Sequence, residues 1–81
     1  MTSEEIKEAM HNFSPVIYDG IEYERITAYI YRIIKTHKAG KYKVIMQVEL
    51  QDKNTNSVVI ADAKKVEPLE RYDEMKHVIK L

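Results

Sequence analysis

The 81-residue chain contains no cysteine and no tryptophan, and it has only two glycines and two prolines. The absence of cysteine excludes disulfide bonds and thiolate chemistry. Since small secreted domains usually depend on disulfides, it also points to the cytoplasm. The two glycines, Gly20 and Gly40, are too far apart to form a phosphate-cradling loop. We therefore expect neither a secreted disulfide scaffold nor a glycine-rich nucleotide site.

Long apolar runs are also missing from the chain. No stretch approaches the ~20 apolar residues that span a bilayer. The acidic N-terminus, Met1 to Glu5, does not have the pattern of a signal peptide. A chain of this length is typical of a single domain with a small core, so we treat residues 1–81 as one domain. We expect it to be cytoplasmic and to have no membrane partner.

Charge is present in balance but is unevenly distributed. The chain has 13 basic and 13 acidic residues and a net charge of zero. Residues 25–43, called the basic segment below, carry six cations and no carboxylate. The six cations are Arg25, Arg32, Lys35, Lys38, Lys41 and Lys43. A segment of this kind attracts phosphate groups or an acidic partner.

The N-terminal residues predict a short helix within residues 1–13. Thr2 and Glu5 have the spacing of a capping box. Ile6, Met10 and Phe13 would form one apolar stripe. Pro15 disfavours helical geometry in the residue before it and so ends the element.

The following residues predict β-structure. Asp19-Gly20 between β-rich flanks is a strong hairpin signal, because glycine accepts a positive φ. Residues 21–34 are rich in Ile, Tyr and Thr, which favours a strand. The same residues also fit a helical stripe that could stop at Gly40. We prefer the strand because of its β-branched and aromatic density.

A second strand follows a polar turn at residues 35–41. Its alternation predicts that one face is buried, formed by Tyr42, Val44, Met46, Val48 and Leu50. Residues 52–56 predict a turn, residues 57–61 another strand, and residues 64–67 a short strand ended by Pro68. The apolar residues of the tail have helical spacing, which predicts a C-terminal helix over residues 69–81. These residues are Leu69, Tyr72, Met75 and Ile79.

Strands of this length, separated by tight turns, favour a mainly β fold. We predict a small SH3-like barrel or meander of four to five antiparallel strands over residues 16–68. A short N-terminal helix would precede it and a C-terminal helix would follow it.

Residues 16–68 resemble a group of known proteins, mainly in the two stretches GIEYERITAYIYR and VIMQVELQDKNTNSVVIADAKKVEP. Their most specific parts are residues 48–52 and residues 57–61. In these stretches the chain resembles small uncharacterised proteins of Gram-positive bacteria and their phages. The resemblance implies a strand rather than a helix for residues 21–34, and a bacterial or phage origin. It brings no catalytic motif.

No spacing in the chain predicts a catalytic or metal site. Glu8-x-x-His11 and Glu74-x-x-His77 have the spacing of helical metal ligands, but a di-metal site needs more helices than the chain can supply. Residues 52–56 copy the opening of a calcium loop without its sixth-position glycine or twelfth-position glutamate. None of the three histidines lies in a nucleophile signature. We expect no enzyme activity, no cofactor and no metal.

The basic segment is the candidate binding surface. If Ile26, Ala28 and Ile30 face the core, the intervening residues share the outer face. The outer face would then carry Arg25, Thr27, Tyr29 and Tyr31, and the lysine loop 35–43 would extend it. The candidate binding residues are Arg25, Tyr29, Tyr31, Arg32, Lys35, Lys38, Lys41 and Lys43. Tyrosine rings could stack on bases while the cations neutralise phosphates. In the opposing interpretation, a terminal helix covers the tyrosines and the cations keep a turn soluble or pair with glutamates across strands.

These observations indicate a non-catalytic module that binds a macromolecule. Our first interpretation is an adaptor or accessory protein that docks a protein partner through a strand edge or a barrel face. The alternative is nucleic-acid binding through residues 25–43, although zero net charge is unlike most nucleic-acid binders. The short apolar stripes of the terminal helices would pack on the barrel or pair between two chains as a homodimer.

Overall fold

A computed structural model of the chain describes residues 1–70. Over these residues it is mainly β, with a helix, a 3₁₀ turn and six strands. The elements in chain order are α1 (Ser3–His11), β1 (Val16–Tyr18), β2 (Ile21–Tyr23), β3 (Arg25–Lys35), β4 (Tyr42–Gln51), β5 (Val58–Asp62), the 3₁₀ turn (Ala63–Lys65) and β6 (Val66–Pro68). The predicted C-terminal helix falls, apart from residues 69 and 70, outside the described residues.

Helix α1 begins as its sequence predicts. The Thr2 hydroxyl accepts from the Glu5 amide at 3.2 Å, and the Glu5 carboxylate accepts from the Thr2 amide at 2.9 Å. Ile6 is buried and Met10 is partly buried against the core. Phe13 was expected to extend this stripe, but it lies past the helix end at a φ of 52° and is exposed. With this left-handed φ, Phe13 does not continue the helical stripe, and the Arg25 guanidinium lies 5.3 Å from the centroid of its ring.

The strands form two antiparallel sheets of three strands each. One has the order β2-β1-β6 and the other β3-β4-β5. Asp19 and Gly20 both have positive φ, which confirms the predicted hairpin between β1 and β2. The chain passes from the first sheet to the second at Glu24, whose amide donates to the Gln51 carbonyl at 2.8 Å. It returns through the 3₁₀ turn. The described residues form no closed barrel, so the barrel expectation is replaced by two small sheets.

One core joins α1 to both sheets. Its buried residues are Ile6, Ala9, Val16, Tyr23, Ile26, Val48, Leu50, Ala61, Ala63 and Val66. Because Ile26 belongs to a strand that pairs with β4 along its length, the helical alternative for residues 26–34 is wrong.

The burial predicted for β4 is correct for only half of the strand. Val48 and Leu50 are fully buried and Met46 is partly buried, as the alternation predicts. Tyr42 and Val44 are exposed, which contradicts the prediction. A strand of 10 residues is about 33 Å long. The small core reaches only its second half, so the first half extends beyond it.

Candidate binding surface on the hairpin of β3 and β4

A β-bulge in β3 determines which side chains share a face. Ile26 lies opposite Leu50, but the register then shifts between Ile26 and Ala28. After the shift, Tyr29 lies opposite Val48. The Thr27 hydroxyl at the bulge lies 3.2 Å from the Glu49 carbonyl oxygen and 2.8 Å from its carboxylate. The extra residue therefore moves the odd-numbered residues after it onto the face that contains Val48.

The β3-β4-β5 sheet has a core face, which packs on the core, and an outer face on the opposite side. The core face carries Val48 and Leu50, and the outer face carries Gln47 and Glu49. Ala28 and Ile30 lie opposite Glu49 and Gln47, so they are on the outer face. The expectation that Ile26, Ala28 and Ile30 all face the core is therefore wrong for the last two. A simple period of two cannot continue through a residue that has no partner.

The predicted binding residues consequently divide between the two faces. Tyr29, Tyr31 and Lys35 are on the core face, opposite Val48, Met46 and Tyr42. The outer face has Arg25, Arg32 and Lys43, opposite Gln51, Ile45 and Ile34. Lys38 and Lys41 lie in the turn between the strands. The eight residues therefore do not form one surface on which tyrosine and arginine act side by side.

The part of the hairpin beyond the core is called the arm, residues 31–46. Among the described residues, β5 pairs only with residues 47–51 of β4, so the arm consists of two strands and a turn. On its core face, Tyr31 is 62%, Ile33 60% and Tyr42 65% exposed. Val44 lies opposite Ile33 in the same row and is also exposed. These four side chains, the apolar row below, continue the core face into solvent.

Tyr29 marks the boundary between the core and the arm. It is partly buried and packs against the core residues. This agrees in part with the interpretation in which the tyrosines are covered, since α1 lies against β3. Tyr31, two residues further along the strand, is 62% exposed.

The turn of the arm is held by Thr36. Its hydroxyl lies 3.1 Å from the Lys41 carbonyl oxygen and 3.4 Å from the Lys38 amide. Gly40 has a φ of 75°, which a side chain would strain. The two lysines of the turn therefore lie at the tip of the arm.

Within residues 1–70, the cations of the arm have no carboxylate partner. Arg32 donates through Nε to Gln47 Oε1 at 3.1 Å. Arg25, before the arm, donates to Gln51 Oε1 at 3.2 Å. The one ion pair of the described residues joins Lys53 to Glu22, whose carboxylate raises the pKa of Lys53. The glutamates that could have neutralised the basic segment across strands therefore do not do so.

Strand β5 provides a second exposed feature. It pairs with β4 on one side, and no described strand pairs with its other side. Val58, Val59 and Ile60 are all exposed along it. The strand itself is predicted by the sequence, whereas its exposed edge is not.

The turn before β5 is built on Asp52. Its carboxylate accepts from the amides of Asn54 at 2.7 Å and Thr55 at 3.1 Å. These hydrogen bonds lower the pKa of Asp52, because they stabilise its charged form. The carboxylate serves as a cap for the predicted turn.

Alternation alone does not show where a core ends, so it predicts burial for Tyr42 and Val44, which the structure places in the exposed apolar row. The signal that could have been used is length, since a domain of 81 residues cannot cover both faces of strands this long.

Comparison with protein-family models, with curated proteins and with solved structures finds no match for this chain. Among residues 1–70, no helix is both long and apolar enough to cross a membrane.

Proposed function

We propose that this chain is a non-catalytic module that binds another protein, and that the arm is its docking surface. The observation that carries the proposal is the apolar row. Large apolar side chains are set side by side on one face of two paired strands, where water covers them. Contiguous exposed apolar surface of this kind is typical of interaction sites.

The composition of the row favours a protein partner. Tyrosine is enriched in protein interfaces, where its ring is buried and its hydroxyl remains hydrated. Ile33 and Val44 gain free energy from burial against apolar side chains and gain nothing from phosphate groups. The exposed edge of β5 gives the same protein a second place at which an extended segment could add to a sheet.

We infer an SH3-like architecture in which the two sheets are parts of one bent, partly open barrel. The direct continuation of β2 into β3 supports it, as does the 3₁₀ turn that leads into β6 beside β1. In this architecture the arm is an extended hairpin at one side of the barrel.

Nucleic-acid binding through residues 25–43 is the second candidate. One observation favours it: within residues 1–70, cations without a carboxylate partner lie on both faces and at the tip of a two-stranded ribbon. A ribbon of this type fits the major groove of duplex DNA, which is about 12 Å wide. The separation of Tyr31 from Arg32 onto opposite faces counts against stacking on a single strand.

The proposals of a homodimer and of a bacterial or phage origin remain predictions. Helix α1 buries Ile6 and Ala9 against its own β-structure, so its apolar stripe is already occupied. A dimer through the terminal helices would therefore depend on residues 71–81, which lie outside the described residues.

The proposed function can be tested by photo-crosslinking the protein to its partners in cells of the organism whose genome encodes it. A crosslinking amino acid is placed at Ile33 on the core face of the arm, and at Lys65 outside the arm as a control. We expect a discrete protein adduct from position 33 that disappears when Val44→Ser is added. Equal adducts from both positions, or adducts to nucleic acid alone, would contradict the proposal.

A further inference from the structure

We propose that the arm binds an acidic β-strand of its partner, in which carboxylate and apolar side chains alternate, and that this strand adds to the free edge of β4 at residues 42–46. The inference rests on the proposed protein-binding function and specifies the chemistry of the partner.

The place for the added strand is defined by where β5 ends. Gln47 is the last residue of β4 that pairs with β5, through Asp62. Residues 42–46 pair with β3 on one side and with no described strand on the other. This free edge is about 16 Å long, which accommodates a strand of five residues.

The chemistry of the added strand follows from its two faces. Side chains of a strand alternate between faces, so every second residue of the partner would meet the core face. There it would lie beside Tyr42, Val44 and Met46, which are apolar. The intervening residues would lie on the outer face beside Lys43 and Ile45, with Arg32 opposite Ile45 on β3 and Lys41 at the turn. In an alternating apolar and acidic sequence, the apolar residues would meet the core face, and the acidic residues would meet Lys43 and the cations that flank Ile45.

The positive charge of the arm favours an acidic partner strand over a neutral one. The arm has five cations and no carboxylate: Arg32, Lys35, Lys38, Lys41 and Lys43. None of them is ion-paired within residues 1–70. Their summed field favours an approaching anion and increases its association rate.

The same cations select against a second copy of the arm. Lysines on a free strand edge prevent edge-to-edge pairing between identical chains, because like charges would then face each other. They serve as protection against self-association and as recognition groups for acidic strands. An acidic strand is the kind of strand that such an edge accepts most readily.

The test uses three fluorescent ten-residue peptides that alternate valine with glutamate, glutamine or lysine, together with a single-stranded oligothymidine. Binding to the full chain is measured by fluorescence anisotropy. We expect the glutamate peptide to bind and the lysine peptide not to bind.

The variant Lys43→Glu should weaken binding of the glutamate peptide by about tenfold, since an attraction becomes a repulsion. Lys65→Glu, the same charge change outside the arm, should have no effect. Raising the salt from about 0.05 M to about 0.5 M should also weaken binding, because it screens exposed charges.

The other outcomes separate the two proposals. Equal binding of the glutamine peptide would overturn the acidic-strand inference and leave the protein-binding function standing. Binding of the oligothymidine with no binding of any peptide up to about 1 mM would overturn both. Sedimentation of the chain alone completes the test. A dimer that Lys43→Glu dissociates would replace the acidic partner by a second copy and overturn the inference.

Discussion

Tyr29 lies directly opposite Val48 on the core face of the β3-β4-β5 sheet, although simple alternation from Ile26 would place it on the outer face. The bulge at residues 26–28 causes this arrangement. It brings Tyr31 and Ile33 to the same side as Met46 and Val44. The apolar row of the arm therefore exists because one extra residue is accommodated far from it.

Deleting Thr27 should leave a cooperatively folded protein. With Thr27 removed, Ala28 takes an ordinary outer-face position and Tyr29 stays on the core face. Inserting one alanine between Ala28 and Tyr29 should instead turn Tyr29 outward and expose core surface, which destabilises the protein. Thermal melts followed by circular dichroism give the melting temperatures of the two variants for comparison. If the deletion and the insertion destabilise equally, the bulge does not set the faces as described.

Replacing Val48 by Asp should unfold the domain. Val48 is fully buried, and an unpaired carboxylate there costs several kcal/mol, on the order of the whole stability. Val44→Asp is the matched control, because it makes the same change in the exposed first half of the same strand. We expect a cooperative melt near that of the wild type for the control only. A near-wild-type melt for Val48→Asp would contradict the core assignment.

Local signals predicted the parts of the fold that depend on neighbouring residues. The capping box of Thr2 and Glu5 and the Asp19-Gly20 hairpin form as expected, because their hydrogen bonds and dihedral angles are determined within a few residues. The bulge could not be predicted, since Thr27 and Ala28 carry no glycine signal and the shift appears only when β3 pairs with β4. The extent of the core was also not predictable from alternation, which continues unchanged from Leu50 to the exposed Tyr42.

Substitutions in the apolar row should hardly change stability. Ile33→Thr and Tyr42→Thr alter side chains that are already exposed, so the free energy of unfolding should stay within about 0.5 kcal/mol of the wild type. Leu50 lies in the same hairpin but is fully buried, so Leu50→Ala should lower the free energy of unfolding by about 2–5 kcal/mol. Urea unfolding measures all three. A large loss of stability for Ile33→Thr would show that the arm is covered in the folded chain.

Stability should decrease in acid partly through Asp52. The pKa of its carboxyl is lowered in the folded state by the amides of Asn54 and Thr55. Its contribution is therefore present above the ordinary value of 3.8 and is lost as the pH falls through the lower folded value. Asp52→Asn keeps an acceptor for the turn but cannot titrate, so its stability should change less over this interval. Urea unfolding on both sides of the interval checks this. Parallel pH profiles of the two proteins would exclude the contribution of Asp52.

A lysine in place of Ile60 on β5 should reduce self-association without loss of stability. Ile60 is exposed on a strand edge and lies directly opposite Glu49. Ile60→Lys places a cation beside that carboxylate, and cross-strand pairs of opposite charge contribute about 0.2–1 kcal/mol. A lysine on the edge also opposes pairing with another chain. Ile60→Glu is the matched control, since it is equally polar but puts like charges opposite each other. We expect both variants to show less light scattering than the wild type during prolonged incubation, and only Ile60→Glu to lose stability in urea. Unchanged scattering for both would show that the edge of β5 takes no part in association.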